Sequence, residues 1–217
     1  MKPFKVIKRD DQVFNVRPKK RRKDKNAAEM DEIGVQRGFL HVIYKFDDYT
    51  LHLVSAHLKA KVHHYRYSQA DMRRLEARQL RYLINDILKN EPEANILVVG
   101  DMNDTFDSKP ISIIRDFEQP PERRLLDLRP LDVDGFSWSH WWDEQDSYAR
   151  IDYTLCSKGL LPEIVFEQTR IVSKTPTWMV ASDHRPLLVT IETKQKPVWS
   201  EESLEKLFPK GIRNFPY

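Results

Sequence analysis

The chain has 217 residues, 40% hydrophobic and 32% charged, with a formal net charge of +3. That is enough for one globular domain with a real core, and the near-balanced charge gives no overall nucleic-acid signature. A single cysteine, Cys156, excludes a disulfide framework and a cysteine-rich zinc site, and its apolar context reads as core. No apolar run approaches membrane-spanning length, and "MKPFKVIKRDD" lacks the apolar stretch of a signal peptide.

Taken in chain order, residues 17–25, "RPKKRRKDK", form a basic run. A solvated loop is its commoner meaning, and a phosphate-facing or targeting patch the rarer one. Residues 38–46 and 50–57 read as strands, with Asp47 and Asp48 between them suiting a tight hairpin. His57 ends the second strand. After a polar connection, residues 70–90 place Met72, Leu75, Leu80, Leu83, Ile84, Ile87 and Leu88 at helical spacing, and Asn90 and Pro92 stop the helix. "ILVVG" (96–100) is the next strand, which makes a strand–helix–strand crossover. Residues 108–118 predict a short helix, with Ser108 as cap and Pro110 in its first turn. Residues 136–142, 150–157, 163–172 and 185–193 read as further strands. Residues 1–193 are expected to form one domain, with 194–217 as a tail.

Chemistry gathers where the strands end. "ILVVGDMND" runs from an apolar strand into Asp101, Asn103 and Asp104. Such residues end strands in any protein. Ligands, however, sit at the carboxyl ends of strands in open α/β sheets, and closely spaced oxygen donors there suit a hard cation. Comparable clusters stand at 55–60 ("SAHLKA"), 150–153 ("RIDY") and 182–186 ("SDHRP"). Each abuts an apolar strand.

These motifs, in this order, resemble the endonuclease/exonuclease/phosphatase superfamily from about Gly38 to Glu192. The resemblance implies an α/β fold, a four-layer α/β/β/α sandwich of two mostly antiparallel sheets flanked by helices. It implies divalent-metal-dependent hydrolysis of phosphoester bonds, with Mg2+ as cofactor and Mn2+ as the alternative. His184 would be the general base, and Asp152 would fix its tautomer. Asp101 would hold a metal or the attacking water, Asn103 would contact the phosphate and the metal, and Asp183 would ligate the metal. His57 would contact the scissile phosphate and help the leaving oxygen depart.

Blander readings accompany these. Asp152 could pair with Arg150, and His57 could be a core histidine. His52, His63, His64 and His140 match nothing in the resemblance and read as surface or loop residues, although His63, His64 and Arg66 could touch substrate. Arg73 and Arg74 read as a solvated helix face. Trp138, Trp141 and Trp142 suggest core packing before a substrate wall. Abasic-site enzymes carry a tryptophan before the arginine of their equivalent motif. Ala149 stands there instead, which argues against abasic DNA.

The resemblance also exposes a gap. The family opens with an asparagine strand and a strand ending in a metal-ligating glutamate, and neither is found before Gly38. Glu29 and Glu32 fall in what reads as a loop. The expectation is an N-terminally truncated member with weakened metal affinity and unpaired sheet edges, prone to self-association or to completion by another chain. The substrate is a phosphate ester, whether nucleic acid, phospholipid headgroup or small molecule. The alternative function is a catalytically impaired remnant that binds a phosphorylated ligand or a protein. Nothing marks a compartment. As it stands the chain reads as cytoplasmic, and an export signal could have been lost with the start.

Overall fold

The structure, a computed structural model, describes residues 3–9, 12–19, 30–46, 48–116, 118–172 and 178–193. Glu29, Asp47, most of the basic run and the tail beyond 193 lie outside the described residues.

The strands are β1 (Pro3–Arg9), β2 (Val13–Val16), β3 (Asp31–Gly34), β4 (Phe39–Phe46) and β5 (Tyr49–Ala56). Helix α1 (Gln69–Asn90) leads to β6 (Asn95–Asp101), α2 (Lys109–Arg115), β7 (Leu126–Asp127), β8 (His140–Trp142), β9 (Ser147–Ala149) and β10 (Asp152–Cys156). Strand β11 (Arg170–Ile171), α3 (Trp178–Ala181) and β12 (Leu187–Leu188) follow. Six strands form the main sheet in the order β1-β4-β5-β6-β10-β7. Its pairings are antiparallel except β5 with β6, which α1 connects as a crossover.

Alternation along β6 explains the unbroken apolar run. Ile96 and Val98 face a core shared with Leu80, Ile84 and Ile87 of α1 and Ile111 and Ile114 of α2. Leu97 and Val99 face a second, smaller core with Cys156, Leu161, Ile164, Val189 and Ile191. A strand buried on both faces has no polar positions to spare. The protein is thus a mixed α/β sandwich: helices, the main sheet, and a thin second β layer built on β11–β12. Ser68 caps α1 by accepting the Asp71 N–H. Among the described residues, no helix is long and apolar enough to cross a membrane.

Several expectations need correction. Residues 3–9 form an edge strand, and β2 and β3 make a hairpin, so Glu32 lies on a strand rather than in a loop. The lysines of β1 suit a sheet edge and hide its strand pattern. Residues 163–172 are not one strand. Two short 3-10 turns, Leu161–Glu163 and Phe166–Gln168, precede the two residues of β11. Leu160, Leu161 and Ile164 pack into the small core from turns, which alternation cannot describe. The strand expected over 185–193 shrinks to β12, with Ile191 bridging to Ile164. His52 is buried, its Nδ1 2.9 Å from Nε2 of buried His41. Arg73 is buried too, in an ion pair with Asp104 at 2.8 Å, while Arg74 is partly exposed and pairs with Asp71 at 3.1 Å.

Candidate active site

The site begins with ladder register. Asp101 ends β6, Asp152 opens β10, and the two are direct partners across the strands. Direct antiparallel partners lie roughly 4.5–5.5 Å apart at Cα, so two carboxylates share one sheet edge. Strand β5 runs parallel to β6, so His57, one residue past it, reaches the same edge. The approach is tight. Gly100 has φ +130°, and a Cβ there would sit 2.0 Å from the Ala56 carbonyl oxygen.

The turn after β6 then organises oxygen donors. Asn103 adopts a left-handed φ of 51°. Its backbone N–H donates to Asp101 Oδ1 at 2.8 Å, and its side-chain amide donates to Asp101 Oδ2 and to the Leu58 carbonyl, each at 3.0 Å. With the Asn103 nitrogen so used, its amide oxygen is the end suited to a cation. His57 Nε2 lies 3.3 Å from Asp101 Oδ2. The loop carrying His57 is clipped to α1. Buried Glu76 accepts the Lys59 and Gln36 N–H groups, and Arg73 donates to the Lys59 carbonyl.

The imidazole half comes from loops. His184 Nδ1 lies 2.8 Å from Asp152 Oδ2. Arg150, the competing partner for Asp152, turns away and grips Asp127 through two bonds of 2.7 and 3.1 Å. Buried Ser139 joins the two halves. Its hydroxyl accepts the Ile151 and Asp152 N–H groups, and its carbonyl accepts the Arg185 N–H at 2.7 Å. Arg185 is itself fixed by Asp132 at 2.6 Å and stacks 3.9 Å over Trp138.

The electrostatics follow from burial and neighbours. The Asp152 hydrogen bond raises the His184 pKa above 6.5, against the opposing effect of burial. Burial raises the Asp101 pKa, and the adjacent Asp152 adds to the rise. Burial lowers the His57 pKa although Asp101 pulls the other way. Both of these last shifts run against an ion pair, because burial outweighs the attraction between Asp101 and His57. A cation would reverse the Asp101 shift. The donor chemistry of Asp101 and Asn103 suits one, with two like charges, Asp101 and Asp152, facing each other.

His57, Asp101, Asn103, Asp152 and His184 therefore meet at one edge. Asp183 is exposed, its Oδ2 3.4 Å from His140 Nε2. His140 belongs to this neighbourhood, with its ring centroid 4.7 Å from that of His184, and is not a stray surface histidine. Trp142 is 46% exposed on the neighbouring hairpin, so it is not core. Trp138 and Trp141 are partly buried. Arg37, whose charge acts on His57, and Ser139 had no motif to signal them. His140 could be suspected only once its strand was known to bridge residue 184.

A sequence profile described as the Endonuclease/Exonuclease/phosphatase family matches residues 5–176. The chain belongs to the endonuclease/exonuclease/phosphatase family. A search of curated proteins finds no match. Among solved structures, the human Nocturnin catalytic domain with bound sulfate anion is similar at 17% identity, covering 87% of this chain and 59% of that one, with a TM-score of 0.51. Truncated TDP2 from Caenorhabditis elegans is similar at 12% identity, covering 84% and 66%, TM-score 0.51. A mutant beta toxin from Staphylococcus aureus with bound magnesium ions is similar at 15% identity, covering 71% and 57%, TM-score 0.50. At these identities the likeness concerns the fold. This member of the family spans less than two-thirds of each of those three chains.

Proposed function

We propose that this chain hydrolyses phosphoester bonds by in-line attack of water with a divalent cation as cofactor. The observation that carries the reading is the Asp152–His184 hydrogen bond at 2.8 Å, at the sheet edge where Asp101 and Asn103 lie.

Asp152 would hold the proton on Nδ1, which makes Nε2 the basic nitrogen that takes a proton from the attacking water. Asp101, Asn103 and Asp183 would hold the cation, Mg2+ or in its place Mn2+. When bound, the ion would offset the phosphate charge and ease deprotonation of water. His57 would hydrogen-bond the departing oxygen, supported by its contact with Asp101. Arg37 would add positive charge on the same side. The substrate class is a phosphate ester, with nucleic acid, phospholipid headgroup and small ester all compatible with this chemistry. Edge strand β1, with Val6 58% exposed, and Leu40, 43% exposed, support self-association or completion by another chain.

Hydrolysis of bis-p-nitrophenyl phosphate with Mg2+ or Mn2+ tests the reading. His184→Ala should lower the rate on the order of 10²–10⁴-fold. Equal rates would overturn the hydrolase and favour a phosphate-ligand or protein-binding module.

A further inference from the structure

His140, Asp183 and His184 each bring one ligand atom to within 4.8 Å of the others. This trio differs in kind from the oxygen set of Asp101 and Asn103. Two imidazoles and one carboxylate match the donors of open zinc sites, which leave one position for water. Imidazole ligands favour zinc, copper and nickel, whereas magnesium favours oxygen.

Three features give the trio the build of a metal site. Asp152 engages His184 Nδ1, so coordination would run through Nε2, in the carboxylate–histidine–metal arrangement that orients metal-bound imidazoles. The backbones are fixed to each other. His140 and His184 form an antiparallel bridge, and the Trp141 N–H donates to the Asp183 carbonyl at 3.0 Å. The rings stand with centroids 4.7 Å apart. A plain His140–Asp183 pair, with Asp183 66% exposed, would gain little from attraction.

We propose that His140, Asp183 and His184 form a site for a borderline divalent cation such as Zn2+, and that its occupation silences hydrolysis. The silencing half rests on the reading of His184 as general base. A lone pair bonded to metal cannot accept a proton, and Asp183 cannot serve two cations in full. The protein would then work with Mg2+ and stop when Zn2+ rises. The binding half stands without that reading.

Co2+ reports on binding directly, because its visible absorption bands change on nitrogen coordination. Titration of the whole chain should show saturable bands at one Co2+ per chain, displaced by Zn2+. His140→Ala, and His140→Phe to preserve ring volume, should weaken binding on the order of tenfold or more with an unchanged unfolding midpoint. Equal Co2+ binding by wild type and both variants, or binding by none, would overturn the site. In the Mg2+-supported assay, Zn2+ should inhibit the wild type, while His140→Ala, measured against its own zinc-free rate, should need at least about tenfold more Zn2+ for the same fractional loss. Equal Zn2+ sensitivity would overturn the silencing. A wild type inert in Mg2+ counts against the proposed hydrolase, and the Co2+ titration still decides the site.

Discussion

The two halves of the site are built by different means. Asp101, Asp152 and the adjoining His57 and Asn103 stand on or just beyond central strands held by continuous ladders and packed on both faces. His140, Asp183 and His184 stand on a three-residue strand and a loop, joined by an isolated backbone bridge and by the side chains of Ser139, Arg185 and Ser182. The cores differ in the same direction. The one under the helices is large, while the one beneath the second layer has, among the described residues, six that are buried. The acids inherit their positions from the fold, and the imidazoles depend on a few polar contacts. Substitutions in the first half should therefore cost stability, and those in the second should cost chemistry first.

The largest effect should come at the seam. Asp152→Asn should lower the rate by on the order of 10⁴-fold while the fold survives, because the imidazole loses its fixed tautomer. It should also move the acid limb of the pH–rate profile to lower pH. The Asp152 bond raises the His184 pKa, and a base works only when neutral, so removing that bond frees the imidazole at lower pH. The extra stability that Asp152 gives the charged imidazole is fully present below 6.5 and is lost as pH rises through the elevated value, the hydrogen bond itself persisting to the neutral ring.

Next, Arg73→Ala breaks a buried pair by removing one partner. It should cost about 3–5 kcal/mol in denaturant unfolding and loosen the loop of His57, whose Lys59 carbonyl Arg73 holds. Ser139→Ala should be milder in stability, about 1–3 kcal/mol, because two N–H groups lose a buried acceptor. Its rate should nevertheless fall by about 10²-fold through misplacement of His184 relative to Asp152. A rate loss at Arg73 without a stability loss, or the reverse at Ser139, would erase the contrast between the halves.

The smallest effect lies away from the site. Burial lowers the His41 pKa from 6.5 to about 4, and the neighbouring His52 adds to this. The unfolded state then binds more protons between those values, so stability should fall as pH drops from about 6.5 towards 4. His41→Leu should flatten that part of a plot of unfolding midpoint against pH.

The sequence made the central half readable. Strands β4, β5, β6 and β10 and helix α1 have strong periodicity or two-sided burial, and the polar residues at their ends stand out against apolar runs. The second half was harder to read. Arg150 beside Asp152 offered a wrong partner until the fold showed it on Asp127. The turns of 161–168 bury apolar residues without alternating, so they imitate a strand. Ser139 and His140 act through residues some 12 to 45 positions away, and a one-dimensional pattern does not contain such distances. The hairpin of β2 and β3 was hidden because its second strand, Asp31–Gly34, is half polar.

Whether the halves work as one unit is tested most directly by a double-variant cycle on bis-p-nitrophenyl phosphate with Mg2+. Rates would be compared for the wild type, Asp101→Asn, His184→Ala and both together. Groups that act on one phosphate through one transition state are not additive, so the double variant should fall little below the slower single one. Losses that multiply fully, or single variants as fast as the wild type, would contradict a shared site.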